Sequence, residues 1–576
     1  MTSQKDSKKL TSYGDSGFSK FIRQAFNRHL GFEPEDYDKP VIGICNTKSE
    51  INRCHTHVGP IVDAVKKGVL MAGGIPLEFP TISLGEINTS PTTMLYRNLA
   101  AMDTEEMIRA QPIDGVVLIG GCDKVTPSQL MGAASADIPS ILITGGPMNN
   151  GEYQGRTLGA CSDCRFFWQE YRGGQIDEKS LGEINASLAP TAGHCMVMGS
   201  ASTMAVCAEA LGMMLPEGAA IPATDNRRMK HAVDTGKKIV ELVEKEITPS
   251  KIMTEKAFEN AIRALMAVGG STNAVIHLIA IAGRLGIKLP LGRFDELSRT
   301  TPLIANLRPA GEYQMEDFFK AGGTPAVLKE VKSSLHIDEL TVTGNTLRET
   351  IDAVEFSEVY RPIISSFDQP LHKEGGIAVL KGNLAPNGAV IKPKAASPEL
   401  LKHRGRAVVF SSTVDLEKRI DDPDLDIQPD DIMVLQNTGP VGAPGMPEAG
   451  MLPIPPKLLK QGVRDMVRIS DARMSGTAFG TVILHVAPEA AAGGAIGLVK
   501  TGDIIELDVE SRKLELLVSD EELDRRRDEW VAPVLAERGY TKLFQQHVLQ
   551  ADEGCDFDFL LPVKNKSQKK VPLKSN

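Results

Sequence analysis

No apolar run in this 576-residue sequence approaches the ~20 residues needed to cross a bilayer, which argues against a membrane-embedded protein. The opening residues, Met1 to Leu10, are polar and lack the apolar segment of a secretory leader. Basic charge is not in excess either. Lys and Arg number 64 against 74 Asp and Glu, a formal net charge of −10, whereas a general nucleic-acid binder needs a basic face. An anionic small molecule remains an acceptable partner, because a site needs only local positive charge. Cysteine is scarce: eight in a chain of this length are too few for a disulfide scaffold. The expectation is a soluble, cytoplasmic chain with neither nucleic acid nor membrane as partner, and long enough for more than one domain.

Against these absences stands one dense stretch, Gly120-Gly121-Cys122-Asp123-Lys124, which closes the apolar run Gly115-Val116-Val117-Leu118-Ile119. A short β-branched run ending on glycines reads as a buried parallel strand. Ligands of open α/β sheets gather at the carboxyl ends of such strands. A thiol, a carboxylate and an amine in consecutive positions suit a metal site better than a packed core. Cys54 and Cys195 lie in similar loop settings, Asn52-Arg53-Cys54-His55 and Gly193-His194-Cys195-Met196. Three separated thiols could hold an iron–sulfur cluster with one iron position open. Cys161-Ser162-Asp163-Cys164 is a lone C-x-x-C without a second pair, and is expected not to be a metal site. Cys45 and Cys207 read as small buried apolar residues, and Cys555 is not expected to be needed for iron.

Strands are expected at 40–45, 115–121 and 138–144, and helices at 60–73, 92–110, 202–214, 228–246 and 255–267. Strands alternating with helices imply parallel βαβ units. The helical block is broken at Gly269-Gly270-Ser271-Thr272-Asn273, whose polar residues suggest an N-cap for the following helix. After about residue 370 short strands with turns take over, at 376–384, 405–411, 431–436, 466–469, 502–509 and 513–518, which suggests a β-barrel-like domain. The division expected is an α/β domain over 1–370 and a barrel-like domain over 371–576, with Val563–Asn576 as a solvated tail.

Four stretches carry a resemblance: Gly-Gly-Cys-Asp-Lys (120–124), Gly-Gly-Ser-Thr-Asn-Ala-Val-Ile-His-Leu (269–278), Gly-Pro-Val-Gly-Ala-Pro-Gly-Met-Pro-Glu (439–448) and Ser-Asp-Ala-Arg-Met-Ser-Gly (470–476). By these the chain resembles the dihydroxy-acid and sugar-acid dehydratases. The resemblance implies a hydro-lyase that removes water from a 2,3-dihydroxy acid to give a 2-keto-3-deoxy acid, with the active site between the two domains and a homodimeric or homotetrameric assembly. It implies Cys54, Cys122 and Cys195 as ligands of a 2Fe-2S cluster, with a 4Fe-4S form as the alternative. It implies Mg²⁺ on Glu86, Asp123, Glu448 and a carbamylated Lys124; the blander alternative keeps Lys124 cationic and places it on the substrate carboxylate. Ser475 is the implied base for the C2 proton. His194 and Arg473 are candidate substrate-binding residues, and His55, His57 and His194 are expected to orient neighbouring groups rather than to ligate.

Two branches of the family compete for the substrate. Ile82-Ser83-Leu84-Gly85-Glu86, Pro190–Cys195 and Asp471–Ser475 are similar to the sugar-acid branch, of the L-arabinonate type. Lys48 and the run Arg53-Cys54-His55-Thr56-His57 depart from it and leave open a broader specificity or the dihydroxy-acid substrate of branched-chain amino-acid biosynthesis. A non-catalytic iron–sulfur protein is the rival of another class. Such a protein has no use for the oxygen set of Glu86, Asp123, Lys124 and Glu448, nor for Ser475.

Overall fold

The computed structural model describes residues 13–562. The tail Val563–Asn576 and the first twelve residues lie outside them. The N-terminal part is built on a parallel sheet of β1 (Val41–Asn46), β2 (Ile75–Pro80), β3 (Gly115–Gly120) and β4 (Ser140–Thr144), in the order β2-β1-β3-β4. β3 and β4 are buried along their whole length, as expected for strands covered on both faces by helices. β2 was not expected from the sequence. It carries Pro76 and Pro80 and occupies the sheet edge, where a missing N–H costs no ladder bond. A hairpin of β5 (Gly151–Tyr153) and β6 (Arg156–Leu158) follows.

The helices Val58–Met71, Arg97–Ala110, Ser200–Ala210, Asn226–Glu244 and Glu255–Ala267 lie within a few residues of their expected positions. The break at Gly269–Asn273 does precede a helix, Asn273–Arg284, but Thr272 makes no side-chain cap to it. Instead the Ser271 hydroxyl accepts the Asn273 N–H at 3.2 Å.

The second part is a closed barrel of β7 (Ala378–Gly382), β8 (Ala385–Ile391), β9 (Lys402–Phe410), β10 (Ile432–Leu435), β11 (Arg468–Ser470), β12 (Val482–Ala487), β13 (Ile504–Asp508) and β14 (Lys513–Leu516). Its order is β10-β11-β12-β8-β7-β14-β13-β9. β8 and β12 are additional to the strands expected. Side chains such as Ile391, Val434, Ile469, Ile483 and Ile505 fill the barrel core. Cys45 and Cys207 are fully buried and Cys555 nearly so.

The chain then returns to the first part. Arg97 donates to the carbonyls of Gly554 and Cys555 at 2.9 and 2.8 Å. Arg284 and Asp556, both completely buried, pair at 2.5 Å. Removing one member of a buried pair strands the other charge, at a cost of about 3–5 kcal/mol. Arg284→Met is therefore expected to lower the urea unfolding midpoint markedly, with the cavity chemistry untouched. A midpoint equal to that of the parent would contradict this account of how the C-terminal return is held.

Candidate active site

Where the carboxyl ends of the parallel sheet face the loops of the barrel there is a cavity of about 410 Å³, within the range of sites for small ligands. Cys54, Glu86, Cys122, Asp123, His194 and Cys195 reach it from the first part, and Glu448, Ser475 and Thr477 from the second. Cys122 is the second residue after β3. Its N–H donates to His55 Nε2 at 2.8 Å, while His55 Nδ1 lies 3.0 Å from the Thr47 carbonyl. That network requires a neutral imidazole with its proton on Nδ1, and burial pushes the His55 pKa down to about 4. His55 thus fixes the backbone of Cys122 and is not a ligand. His57 plays a similar part, with Nε2 donating to the Gly145 carbonyl at 3.0 Å.

Cys195 is brought in by a tight approach of backbones. Gly193, at φ +118°, has no room for a side chain: a Cβ there would lie 2.6 Å from Met148 N. The His194 N–H bonds Gly146 O at 3.0 Å, and its carbonyl accepts from Met148 at 2.9 Å. The His194 ring lines the cavity with Nε2 buried and unpartnered, and burial pushes its pKa down to about 3. It is a neutral imidazole with one nitrogen to offer a ligand. A hydrogen bond shared with Cys54, together with burial, raises the Cys122 thiol well above the ordinary range. Thiols crowded in this way ionise only against a cation, and a coordinated thiol is deprotonated outright. The donor set fits a metal cluster.

Beside the thiols, Glu86, Asp123 and Glu448 each bring a carboxylate oxygen within 4.8 Å of the others. An all-oxygen set suits a hard divalent ion such as Mg²⁺. Each carboxylate is aimed by neighbours. The Thr92 hydroxyl donates to Glu86 Oε1 at 2.6 Å, and Thr93 bonds Oε2. Glu448 Oε1 accepts from Asn273 Nδ2 at 3.2 Å and from Arg473 Nη1 at 3.1 Å. Burial raises the Glu448 carboxyl, with Lys124 and Arg473 opposing. For Asp123 burial also works against the charge, but the Lys124 ammonium and Arg473 outweigh it and hold the carboxyl below its usual range. Lys124 Nζ is 2.5 Å from Asp123 Oδ2 and 3.8 Å from Glu448 Oε1, with the side chain 3% exposed.

Arg473 stands behind this set rather than in the cavity. It is fully buried, and its guanidinium also bonds the Met446 carbonyl at 2.7 Å and Thr92 Oγ1 at 3.0 Å. It positions Glu448 and, through Thr92, Glu86. Ser475 lines the cavity with Oγ 2.8 Å from Thr477 Oγ1 and 3.4 Å from Thr477 N. Gly476 lets this turn lie on the Gly269–Asn273 loop, since a Cβ there would sit 2.5 Å from Ser271 Oγ. The roles of Thr92 and Thr477 toward these groups were not legible in the sequence. Nor was the placement of Cys161 and Cys164, which line the same cavity. Of the two departures noted above, Lys48 is exposed and does not line it. Arg53 does, but Nη2 of its guanidinium bonds the carbonyls of Ala189 and Thr191 at 2.9 and 3.0 Å.

A cavity with clustered thiols, an acidic oxygen set and a serine thus lies between a parallel sheet and a barrel. The chain matches the N-terminal domain of the dihydroxy-acid/6-phosphogluconate dehydratases over residues 39–350 and their C-terminal domain over 362–555. It belongs to this dehydratase family. It is 51% identical to an L-arabinonate dehydratase of Rhizobium leguminosarum bv. trifolii, over 95% of each chain. It is 47% identical to a 6-deoxy-6-sulfo-D-gluconate dehydratase of Pseudomonas putida, over 92% of this chain and 93% of the other. A dihydroxy-acid dehydratase of Caldanaerobacter subterraneus is 42% identical, over 92% and 95%. Among the described residues no helix is long and apolar enough to cross a membrane.

Proposed function

We propose that this dehydratase removes water from a sugar acid, an aldonate of the L-arabinonate type, to give the 2-keto-3-deoxy acid. The observation that carries the reading is the joint placement of Cys54, Cys122, Cys195, Glu86, Asp123, Glu448 and Ser475 in the lining of one cavity. The higher identity to the sugar-acid dehydratases than to the dihydroxy-acid dehydratase supports the substrate class. Cys54, Cys122 and Cys195 would hold a 2Fe-2S cluster, and Glu86, Asp123 and Glu448, with a carbamylated Lys124, would hold Mg²⁺. When bound, these groups supply Lewis acidity to the leaving C3 hydroxyl and to the carboxylate and C2 hydroxyl.

The residues of the chain do the rest. Ser475 takes the C2 proton. A serine hydroxyl is a weak base; the Thr477 N–H is directed at Ser475 Oγ, and the Thr477 hydroxyl, 2.8 Å away, can donate to it once it is ionised. The unpartnered His194 Nε2 would accept a hydrogen bond from a substrate hydroxyl, since Nδ1 donates to the Cys195 carbonyl at 3.2 Å. Loss of the C2 proton and of hydroxide from C3 leaves an enol, and a solvent proton arriving at C3 completes the keto acid. Carbamylation converts the Lys124 amine and carbon dioxide into an anionic oxygen donor with release of one proton. A high-resolution map of active enzyme prepared with bicarbonate should show the added carboxylate, and an unmodified Lys124 there would rule the carbamate out. A cytoplasmic placement would keep the cluster-holding thiols reduced.

The substrate assignment is tested with a panel of pentonates and hexonates set against 2,3-dihydroxyisovalerate, with 2-keto acid as the readout. The expected result is a kcat/KM for at least one aldonate well above that for dihydroxyisovalerate. The reverse order would move the enzyme to the branched-chain reading.

A further inference from the structure

Five of the eight cysteines, Cys54, Cys122, Cys161, Cys164 and Cys195, line the one cavity. Two more thiols are present than the ligand set above uses, and they are not randomly placed. Cys161 Sγ lies 3.4 Å from Cys195 Sγ. Cys54 and Cys122 belong to the same lining. The sulfur–sulfur contact in it is that of Cys161 and Cys195. Cys164 supports this pair from behind, its sulfur accepting the Cys161 N–H at 3.1 Å.

The segment that presents Cys161 is anchored on three sides. The Ser162 hydroxyl donates to the Thr477 carbonyl at 2.9 Å, next to Ser475. Asp163, nearly fully buried, accepts from Gly159 N at 2.6 Å and pairs with Arg156 and Arg308 at 2.9 and 2.6 Å. Cys161 itself sits at φ +74°, a conformation that a side-chain-bearing residue adopts only when its surroundings impose it. Metal–thiolate bonds of about 2.3 Å at a tetrahedral centre place neighbouring sulfurs about 3.8 Å apart. The Cys161–Cys195 contact is within a few tenths of an ångström of that spacing. A 2Fe-2S core saturated by protein takes four thiolates, two on each iron.

We propose that Cys161 is a fourth, displaceable thiolate of the cluster, sharing the iron held by Cys195 in the resting enzyme and yielding its place to a substrate hydroxyl. On displacement it leaves as the thiol with one proton from solvent, and no electron is transferred. The same thiol would close the unique iron of a 4Fe-4S form. The resting cluster is then shielded from water and oxygen until a substrate enters. Three thiols suffice for loading, so Cys161 is not required for iron content. This inference rests on the cluster assignment above, and its test separates the two.

Protein reconstituted with ⁵⁷Fe is examined by Mössbauer spectroscopy as the parent, Cys161→Ala and Cys164→Ser, each with and without L-arabinonate. Iron and sulfide are measured on every sample. The ligand-free parent should show only sulfur-coordinated iron, and L-arabinonate should convert part of the signal to a doublet of higher isomer shift. Cys161→Ala should carry the same iron per chain yet show that second doublet before any acid is added. Cys164→Ser should match the parent when ligand-free. A ligand-free parent spectrum identical to that of Cys161→Ala overturns the proposal. Should Cys161→Ala not fold or load, the parent decides alone, since an oxygen-coordinated iron in the ligand-free enzyme also overturns it. Retention of full iron by Cys122→Ser would instead sink the cluster assignment itself. The ligand-free comparison does not depend on L-arabinonate being the substrate.

Discussion

Cys122→Ser is expected to emerge folded, without its cluster, and with turnover below detection. The change keeps the volume of the side chain nearly constant at a position 5% exposed. The backbone there is held by the His55 hydrogen bond, which the substitution does not touch. What is lost is one of the three thiolates proposed to hold the cluster, two residues after β3. Iron, acid-labile sulfide and visible absorption report the cluster, and circular dichroism reports the fold. The same replacement at Cys54 or Cys195 should act alike, whereas at Cys555, buried away from the cavity, it should leave the cluster in place. Full cluster content in Cys122→Ser would show that the thiols of this cavity do not hold it.

Ser475→Ala is expected to keep cluster, Mg²⁺ and substrate affinity while the rate falls by roughly 10²–10⁴-fold, the usual worth of a positioned proton transfer. Exchange of the C2 hydrogen with solvent should stop as well. The hydroxyl is bonded to Thr477 and to no distant element, so its loss does not unpin the turn. The turn is carried by Gly476 on the Ser271 loop and by Arg473 behind it. Substrate affinity provides the control, because a collapsed turn would lose binding as well as rate. Near-normal turnover in the variant would hand the proton to another group, with His194 next in line.

The parts of this site that were legible in the sequence are those written in consecutive residues. Gly120–Lys124 announces itself because the strand, the turn and the three chemical groups are contiguous, and the motifs around Glu448 and Ser475 likewise survive as linear words. What the sequence hid is the contact between words. Arg473 meets Thr92 across 381 positions, and Asn273 meets Glu448 across 175. No local pattern signals either. The C-x-x-C at 161–164 looked unpaired because its partner, Cys195, lies 34 residues away and arrives only through the backbone packing that Gly193 permits. In the fold, β2 escaped notice because Pro76 and Pro80 argue against a strand until its edge position is known. The barrel was readable as a texture of short strands, but β8 was missed because it opens on Ala385-Pro386-Asn387-Gly388, which reads as a turn.

The most direct test of the account is proton NMR of the iron- and magnesium-loaded enzyme acting on L-arabinonate in deuterium oxide, followed at early times. Proton abstraction at C2 followed by loss of the C3 hydroxyl predicts a 2-keto-3-deoxy acid with the C2 hydrogen gone to solvent and one deuterium at C3. A product that carries the original C2 hydrogen at C3, or no product from L-arabinonate or any other aldonate while 2,3-dihydroxyisovalerate is turned over, would contradict it.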